Sequence, residues 1–312
     1  MMMTEKITKN SVAGTPRISI CIPTWQDAAI PLLSSLRALA AIGQCEVLVY
    51  DDGSCNDELT AQIMAQVKTY PAPVCLITAS ENRGRSYARN RLTANARADW
   101  LLLLDADMLP DDHHFLQRYI DQIEASDTPA LIAGGFSLQQ VKATPKQRLH
   151  AAQSRHSECL PAAVRAKEPG LHVFTSNILV HRQIIEQVLF DEGYAGWGWE
   201  DVDWGLRVGA TFPILHIENT ATHLGLDDAD SLLNKYAGSK TNFARLAHQH
   251  PKDVTQMRIY QVSKKMRRLP FRGLIGSFAK TLARDPLGIT PISLRLLSLK
   301  LFRASVYAEV LK

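Results

Sequence analysis

Residues 100–110 read WLLLLDADMLP, and this stretch limits the possible folds more than any other. Leu101 to Leu104 are too few for a helix and too apolar for a strand with one wet face. They suit a strand buried on both faces, as in a parallel sheet. Asp105 and Asp107 follow at its carboxyl end. Residues i and i+2 of a strand point to one side, so the spacing predicts two carboxylates facing one site. Ligands of open parallel sheets bind just beyond the carboxyl ends of the strands. Paired carboxylates there repel unless a divalent cation or a hydrogen-bonding ligand neutralises them. The plain alternative is a solvated turn, since Asp and Pro are common turn residues.

The preceding chain repeats the pattern. Arg17 to Pro23 (RISICIP), Glu46 to Tyr50 (EVLVY) and Val74 to Thr78 read as short buried strands. Helical spacing fills the intervals at about 30–42, 57–69 and 82–96, giving β-α-β-α-β-α-β with short connections. That order predicts an α/β fold with a mainly parallel central sheet flanked by helices. The second strand also ends in carboxylates, Asp51 and Asp52. Later strands are expected at 131–136, 174–180 and 212–217, with a polar loop over 220–228 carrying His223. Residues 1–16 are polar, small and closed by Pro16, and are expected to be disordered.

Charge divides the chain. Of 35 Lys and Arg, 13 lie in residues 252–312, against 3 of the 31 Asp and Glu; the segment carries +10, the remainder −6, and the whole +4. A mildly acidic body over 17–251 is therefore expected to precede a basic helical region over 252–312. No apolar run is long enough to span a bilayer. The start, MMMTEKITKN, has no apolar signal-peptide region, and the five cysteines have no C-x-x-C spacing. Both features point to a cytoplasmic protein with reduced thiols.

A second dense motif is GWGWEDVDWGLR, residues 196–207, with three tryptophans and three carboxylates between 197 and 205. Glycines beside Trp197 permit tight turns, and Glu200 and Asp201 suit a helix N-terminus. Indole faces stack on the C–H surfaces of sugars, and carboxylates accept hydrogen bonds from sugar hydroxyls. An Asp aimed at a hydroxyl can also take its proton as that oxygen attacks. A capped helix with core tryptophans is the bland reading, and Trp204 is assigned to the core.

PTW at 23–25, DDGS at 51–54, NRGRSYARN at 82–90, DAD at 105–107 and GWGWED at 196–201 together resemble family 2 glycosyltransferases of GT-A fold. The last motif resembles the GWG-x-ED segment of β-galactosyl- and N-acetylhexosaminyl-transferases, bacterial polysaccharide polymerases among them. The resemblance covers about residues 17–228. It implies that Pro23, Thr24 and Asp52 hold the nucleotide base and ribose, with Gly84 and Arg89 lining the nucleotide side. It implies a ribose or metal contact for Asp105, and coordination of Mn²⁺ or Mg²⁺ by Asp107. Asp201 would be the general base of an inverting transfer, and Trp197 and Glu200 would shape the acceptor site. His223 stands where relatives place a histidine metal ligand, with His216 as competitor; a nitrogen ligand favours Mn²⁺ over Mg²⁺. Trp199 departs from the family pattern, where a small residue is common, and suggests a narrower or differently stacked acceptor pocket. Ser176-Asn177 lacks a second asparagine common there.

The implied reaction moves a hexose or N-acetylhexosamine from a UDP-sugar to a glycan or lipid-linked glycan acceptor of a surface polysaccharide. A sugar nucleotidyltransferase would need a Gly-rich basic loop after the first strand, where PTWQD stands. A non-catalytic glycan-binding relative would be expected to have lost Asp107 or Asp201. In the tail, Leu274, Phe278 and Leu282 share one helical stripe near Arg272, Lys280 and Arg284, with Pro270, Pro286 and Pro291 as breaks. Such a region suits peripheral contact with an anionic membrane at the inner face of the cell membrane, or packing on the body with a solvated basic face. No nucleic-acid partner is expected, since basic residues lack a matching fold motif.

Overall fold

The structure, a computed structural model, describes residues 4–311. Two compact units emerge. One takes the chain up to Val141 with Cys159–Glu192 and Trp204–Gly225; the other takes Lys142–Glu158, Gly193–Asp203 and the chain from Leu226. The expected boundary at residue 251 is thereby displaced. The helices after Leu226 share one core with Leu149 of the helix Arg148–Ser157, so they segregate with it.

Among the described residues all strands lie in the first unit: β1 Glu5–Lys9, β2 Ile18–Thr24, β3 Cys45–Asp51, β4 Val74–Ala79, β5 Trp100–Leu104, β6 Met108–Pro110, β7 Leu131–Ala133, β8 Phe136–Ser137, β9 Asn177–His181, β10 Ile214–His216 and β11 Ala221–His223. The main sheet has the order β1-β4-β3-β2-β5-β9-β7-β10, and a small one the order β6-β11-β8. Strands β2 to β5 run parallel, β1 and β9 are antiparallel to their neighbours, and β10 is parallel to β7. The leucine run of β5 is buried on both faces, as its composition requires. Leu102 and Leu104 join a core with Ile20, Val47 and Val49, whereas Leu101 and Leu103 join another with Cys21, Leu48 and Ile77. Chain order reverses beside β2, with β3 and β4 built outward on one side and β5 on the other. The ends of β2 and β5 thus border a topological switch point, the usual ligand crevice of such sheets.

Four expectations change. The N-terminal segment carries β1, an edge strand against β4, where disorder over 1–16 was expected; Met1–Met3 lie outside the described residues. Its polar sequence hides the strand, which Glu5 anchors by accepting hydrogen bonds from Arg91 and from the Tyr50 hydroxyl at 3.1 Å. The strand over 131–136 is split by Gly134-Gly135 into β7 and β8, which enter different sheets. The loop over 220–228 contains β11, paired antiparallel to β6. Lastly, β5 ends at Leu104, so Asp105–Asp107 form a turn rather than strand residues on one face.

The second unit is helical, including Ala229–Gly238, Lys240–Gln249, Arg258–Arg267, Arg272–Arg284 and Ile292–Tyr307. Leu232, Leu233, Phe243, Leu246, Leu299 and Tyr307 form its core. Pro270, Pro286 and Pro291 fall between helices, as their missing amides dictate. Among the described residues no helix is long and apolar enough to cross a membrane.

Candidate active site

At the switch point, the DAD turn divides its carboxylates. Asp105 Oδ1 accepts a hydrogen bond from Arg89 at 2.8 Å, and that guanidinium is buried to 1% exposure. Asp107 turns the other way, its Oδ2 lying 3.1 Å from His223 Nε2. Two adjacent anions are thus separated by giving each a different partner, which relieves the repulsion a common direction would impose.

Sheet register delivers His223. In the β6–β11 pairing His223 stands opposite Met108, the residue after Asp107, and the Leu224 amide donates to the Asp107 carbonyl at 2.9 Å. Asp111 locks that register, accepting from the Thr222 hydroxyl at 2.6 Å and the Thr220 hydroxyl at 2.7 Å. Gly225 makes room for the pair. A Cβ built there would sit 2.1 Å from Asp107 Oδ2 and 3.0 Å from His223 Nε2, so only glycine lets the two side chains pack this close to the backbone. Burial raises the Asp107 pKa, but the His223 hydrogen bond and charge and the nearby Arg85 outweigh it and hold the carboxyl below its ordinary range. A carboxylate oxygen and an imidazole nitrogen held side by side are a donor set that fits a divalent cation. Among the described residues no group of three or more His, Cys, Asp or Glu is gathered for a metal, so the protein would supply two ligands.

His216 is otherwise engaged. Arg165 donates to its Nδ1 at 2.8 Å, leaving the Nε2 proton for the Pro169 carbonyl at 3.1 Å. Burial, reinforced by the positive charge of Arg165, pushes its pKa down to about 4, so the ring is neutral and structural.

The expected nucleotide residues gather on the same unit. Thr24 is buried at the end of β2, next to Pro23, and its carbonyl accepts from the Asp52 amide at 2.9 Å. Asp52 accepts from the amides of Arg83 at 3.0 Å and Gly84 at 2.7 Å, fastening the loop that opens the helix Arg85–Asn95. Burial raises its pKa against those bonds. Both its oxygens are occupied by backbone, so Asp52 serves the loop as a brace. The turn it braces requires glycine at Gly53, where φ is +72° and a Cβ would lie 2.2 Å from the Glu81 carbonyl carbon. Asn177 is knitted into the core by the carbonyls of Gly135 and Asn219 and by the Tyr119 hydroxyl.

The GWGWED residues belong to the helical unit. Trp197 meets Tyr236 edge to face, with centroids 5.4 Å apart. Trp199 does not stand free to narrow a pocket. It packs against Phe243 and Tyr307, donates from Nε1 to the Tyr307 hydroxyl at 3.0 Å, and lies under the Arg303 guanidinium at 4.9 Å. Its φ of +79° is held by that packing. Glu200 is buried and Asp201 half-buried at the start of the helix Glu200–Gly209. Asp203 is buried and meets His250 Nε2 at 2.8 Å. Trp204 is core, stacked on Phe190.

Sequence reasoning passed over Gly225, Arg85, Asp111 and Arg303. Arg85 was within reach, because it belongs to the NRGR run. A lone glycine and a distant arginine carry no pattern.

Comparison with known proteins agrees with this frame. Residues 19–189, more than half the chain, match Glycosyl transferase family 2. An uncharacterized glycosyltransferase of Bacillus subtilis (strain 168), YfnE, is 22% identical, covering 85% of this chain and 83% of its own. Among solved structures, a mannosyltransferase from Pyrobaculum calidifontis in complex with GDP-Man and Mn²⁺ superposes with a TM-score of 0.60 at 14% identity, over 96% of this chain and 90% of its own. Residues 1–349 of S. aureus TarS give 0.52 at 12% identity, over 94% and 90%. These likenesses establish the GT-A fold. The chain is a glycosyltransferase and belongs to glycosyl transferase family 2.

Proposed function

We propose that this glycosyltransferase is metal-dependent and inverting, and that it moves a hexose or N-acetylhexosamine from a UDP-sugar to a glycan acceptor in surface polysaccharide biosynthesis. The observation that carries the reading is the Asp107–His223 pair at 3.1 Å, packed against Gly225. These two side chains would hold Mn²⁺ or Mg²⁺, which when bound offsets the charge developing on the nucleoside diphosphate leaving group. Arg89 holds Asp105 in place for the ribose, and Pro23, Thr24 and the Asp52–Gly84 brace form the floor for the base. Asp201 would take the proton of the attacking acceptor hydroxyl, while Trp197 stacks on the sugar ring and Glu200 orients it. Separately from the transfer chemistry, the basic C-terminal region would contact an anionic membrane peripherally, the place where a lipid-linked glycan is met.

Nucleotide release from a panel of sugar nucleotides, with Mn²⁺, Mg²⁺ or chelator, tests the reading. The expected result is turnover of a UDP-sugar that chelator abolishes and Mn²⁺ restores. A Mn²⁺-dependent rise in unfolding midpoint with UDP present, lost in His223→Ala, would support the ligand pair independently of activity. The metallated neighbour holds GDP-Man, so GDP-mannose is the decisive competitor. Turnover of GDP-mannose alone would overturn the donor, and undiminished turnover in chelator would overturn the metal.

A further inference from the structure

Large exposed apolar side chains and a high density of cations share residues 258–300 of the helical unit. Phe271, Leu274, Phe278, Leu287 and Ile289 are each at least 67% exposed. On the helix Arg272–Arg284, the inner face is accounted for by Gly276, Ala279 and Ala283. A Cβ on Gly276 would reach the Ser305 hydroxyl at 2.4 Å, and the Ala283 carbonyl accepts from Arg295 at 3.0 Å, so this seam packs on the helix Ile292–Tyr307. Leu274 and Phe278 lie one turn apart, with Phe271 one turn before them, on a stripe distinct from that seam. Ser277, Thr281 and Arg284 make a third, polar stripe, and Arg284 pairs with Asp230. The partner helix contributes exposed Leu294 and Leu297.

Charge surrounds this stripe. Residues 258–300 hold ten Lys and Arg and one carboxylate, Asp285. That carboxylate is already occupied by the amides of Ile289 and Thr290 at 3.0 and 2.9 Å, with Arg295 at 3.7 Å. A cavity of about 320 Å³ is lined by Thr255, Tyr260, Gln261, Lys264, Lys265 and Arg268. Among the described residues, Lys264, Lys265 and Arg268 form no ion pair. Arg268 is followed by exposed Leu269 and Phe271, so the basic cavity and the apolar stripe adjoin along the chain. Exposed phenylalanine and leucine beside lysine and arginine match the boundary between acyl chains and anionic headgroups. A second copy would bring like charge against like, and nucleic acid offers nothing to the apolar stripe.

We infer that Phe271, Leu274, Phe278, Leu287 and Ile289, flanked by Lys264, Lys265 and Arg268, form a docking surface for an anionic lipid bilayer. The apolar side chains enter the headgroup boundary, and the basic cavity receives a lipid phosphate. The same helix that exposes Leu294 and Leu297 ends at Tyr307, the hydrogen-bond acceptor of Trp199. Docking therefore fixes the support of the acceptor segment against the bilayer. The purpose, delivery of a lipid-linked acceptor, rests on the proposed function; the docking stands apart from it.

Vesicle co-sedimentation of the full chain tests this. The protein is expected to sediment with vesicles of mixed phosphatidylglycerol and phosphatidylcholine, and to stay in solution with phosphatidylcholine alone. The triple variant Phe271→Ser, Leu274→Ser, Phe278→Ser loses at least about tenfold in partitioning. The variant Lys264→Gln, Lys265→Gln, Arg268→Gln loses a comparable factor together with most of the salt dependence. Both retain wild-type nucleotide release with a soluble acceptor. Phe278→Glu alone gives the same reading if the triple variant unfolds. The inference is overturned if wild type ignores the anionic vesicles, or if the apolar variants bind them as wild type does. It is also overturned if sedimentation velocity finds a dimer that the apolar substitutions abolish while vesicle binding persists, which would assign the face to a second copy. Vesicle binding without sugar-nucleotide turnover would sink the proposed function and leave the docking intact.

Discussion

The two units place their candidate residues by different physics. In the sheet unit each strand-end carboxylate is set by hydrogen bonds: Asp52 by two amides, Asp105 by Arg89, Asp107 by His223. In the helical unit the GWGWED segment is set by aromatic contact, Trp197 on Tyr236 and Trp199 among Phe243, Tyr307 and Arg303. Hydrogen-bonded placement is directional, and losing one partner removes the bond that aims the other. Aromatic placement is graded, since many small contacts each give a little. Substitutions in the sheet unit are therefore expected to act as switches, and those in the helical unit as slopes.

The largest effect expected is on chemistry. Asp107→Ala removes the carboxylate of the proposed ligand pair and lowers turnover by about 10³ or more, several kcal/mol of transition-state stabilisation. Asp201→Asn lowers transfer by about 10² to 10⁴, the usual range for a general base, with sugar-nucleotide binding retained. Calorimetric donor titration beside a transfer assay separates the two. Weakened metal-dependent donor binding in Asp107→Ala but not in Asp201→Asn sharpens the contrast, and normal turnover in Asp201→Asn sinks the base assignment.

The place of Asp107 in the fold was legible in the chain because a pattern ends just before it. The leucine run announces a doubly buried strand, and whatever follows it lies at a sheet edge. The β-α alternation through residue 104 is similarly local, and the structure follows it closely. What stayed hidden depends on pairing across long separations. Strand β11 is three residues in a polar stretch, and only its register with β6 makes it a strand. Strand β1 is polar because it lies at the sheet edge, so no alternation marks it. The parting of Asp105 from Asp107 required knowing that Arg89 and His223 arrive from different elements. Trp199 looked like a pocket wall because the helix bearing Tyr307 lies more than a hundred residues away.

That tryptophan gives the test from the helical side. Trp199→Ala is expected to cost about 3 kcal/mol in denaturant unfolding, near the low end for a buried aromatic because the ring is only partly covered. Trp199→Gly removes the same ring but relieves the left-handed backbone, so it is expected to cost about 1 kcal/mol less than alanine. Graded placement predicts this order, with Tyr307→Phe milder than either. An all-or-none collapse in every variant would erase the distinction between the units.

The smallest expected effect concerns His216, a histidine the sheet unit holds neutral. Its pKa is lowered from 6.5 to about 4, by burial first, with Arg165 and His172 adding positive charge against the opposing Pro169 hydrogen bond. A folded-state pKa below the unfolded one gives stability that is complete above pH 6.5 and is lost as pH falls toward 4. The amount is on the order of 2 kcal/mol. His216→Gln keeps an acceptor for Arg165 but cannot titrate, so urea unfolding between pH 7 and 4.5 separates the charge effect from the packing. Wild type is expected to lose this increment relative to the variant across that window. Parallel curves would mean that burial and the Arg165 charge do not hold the ring neutral. The sheet unit would then place this ring by packing alone, as the helical unit places its tryptophans.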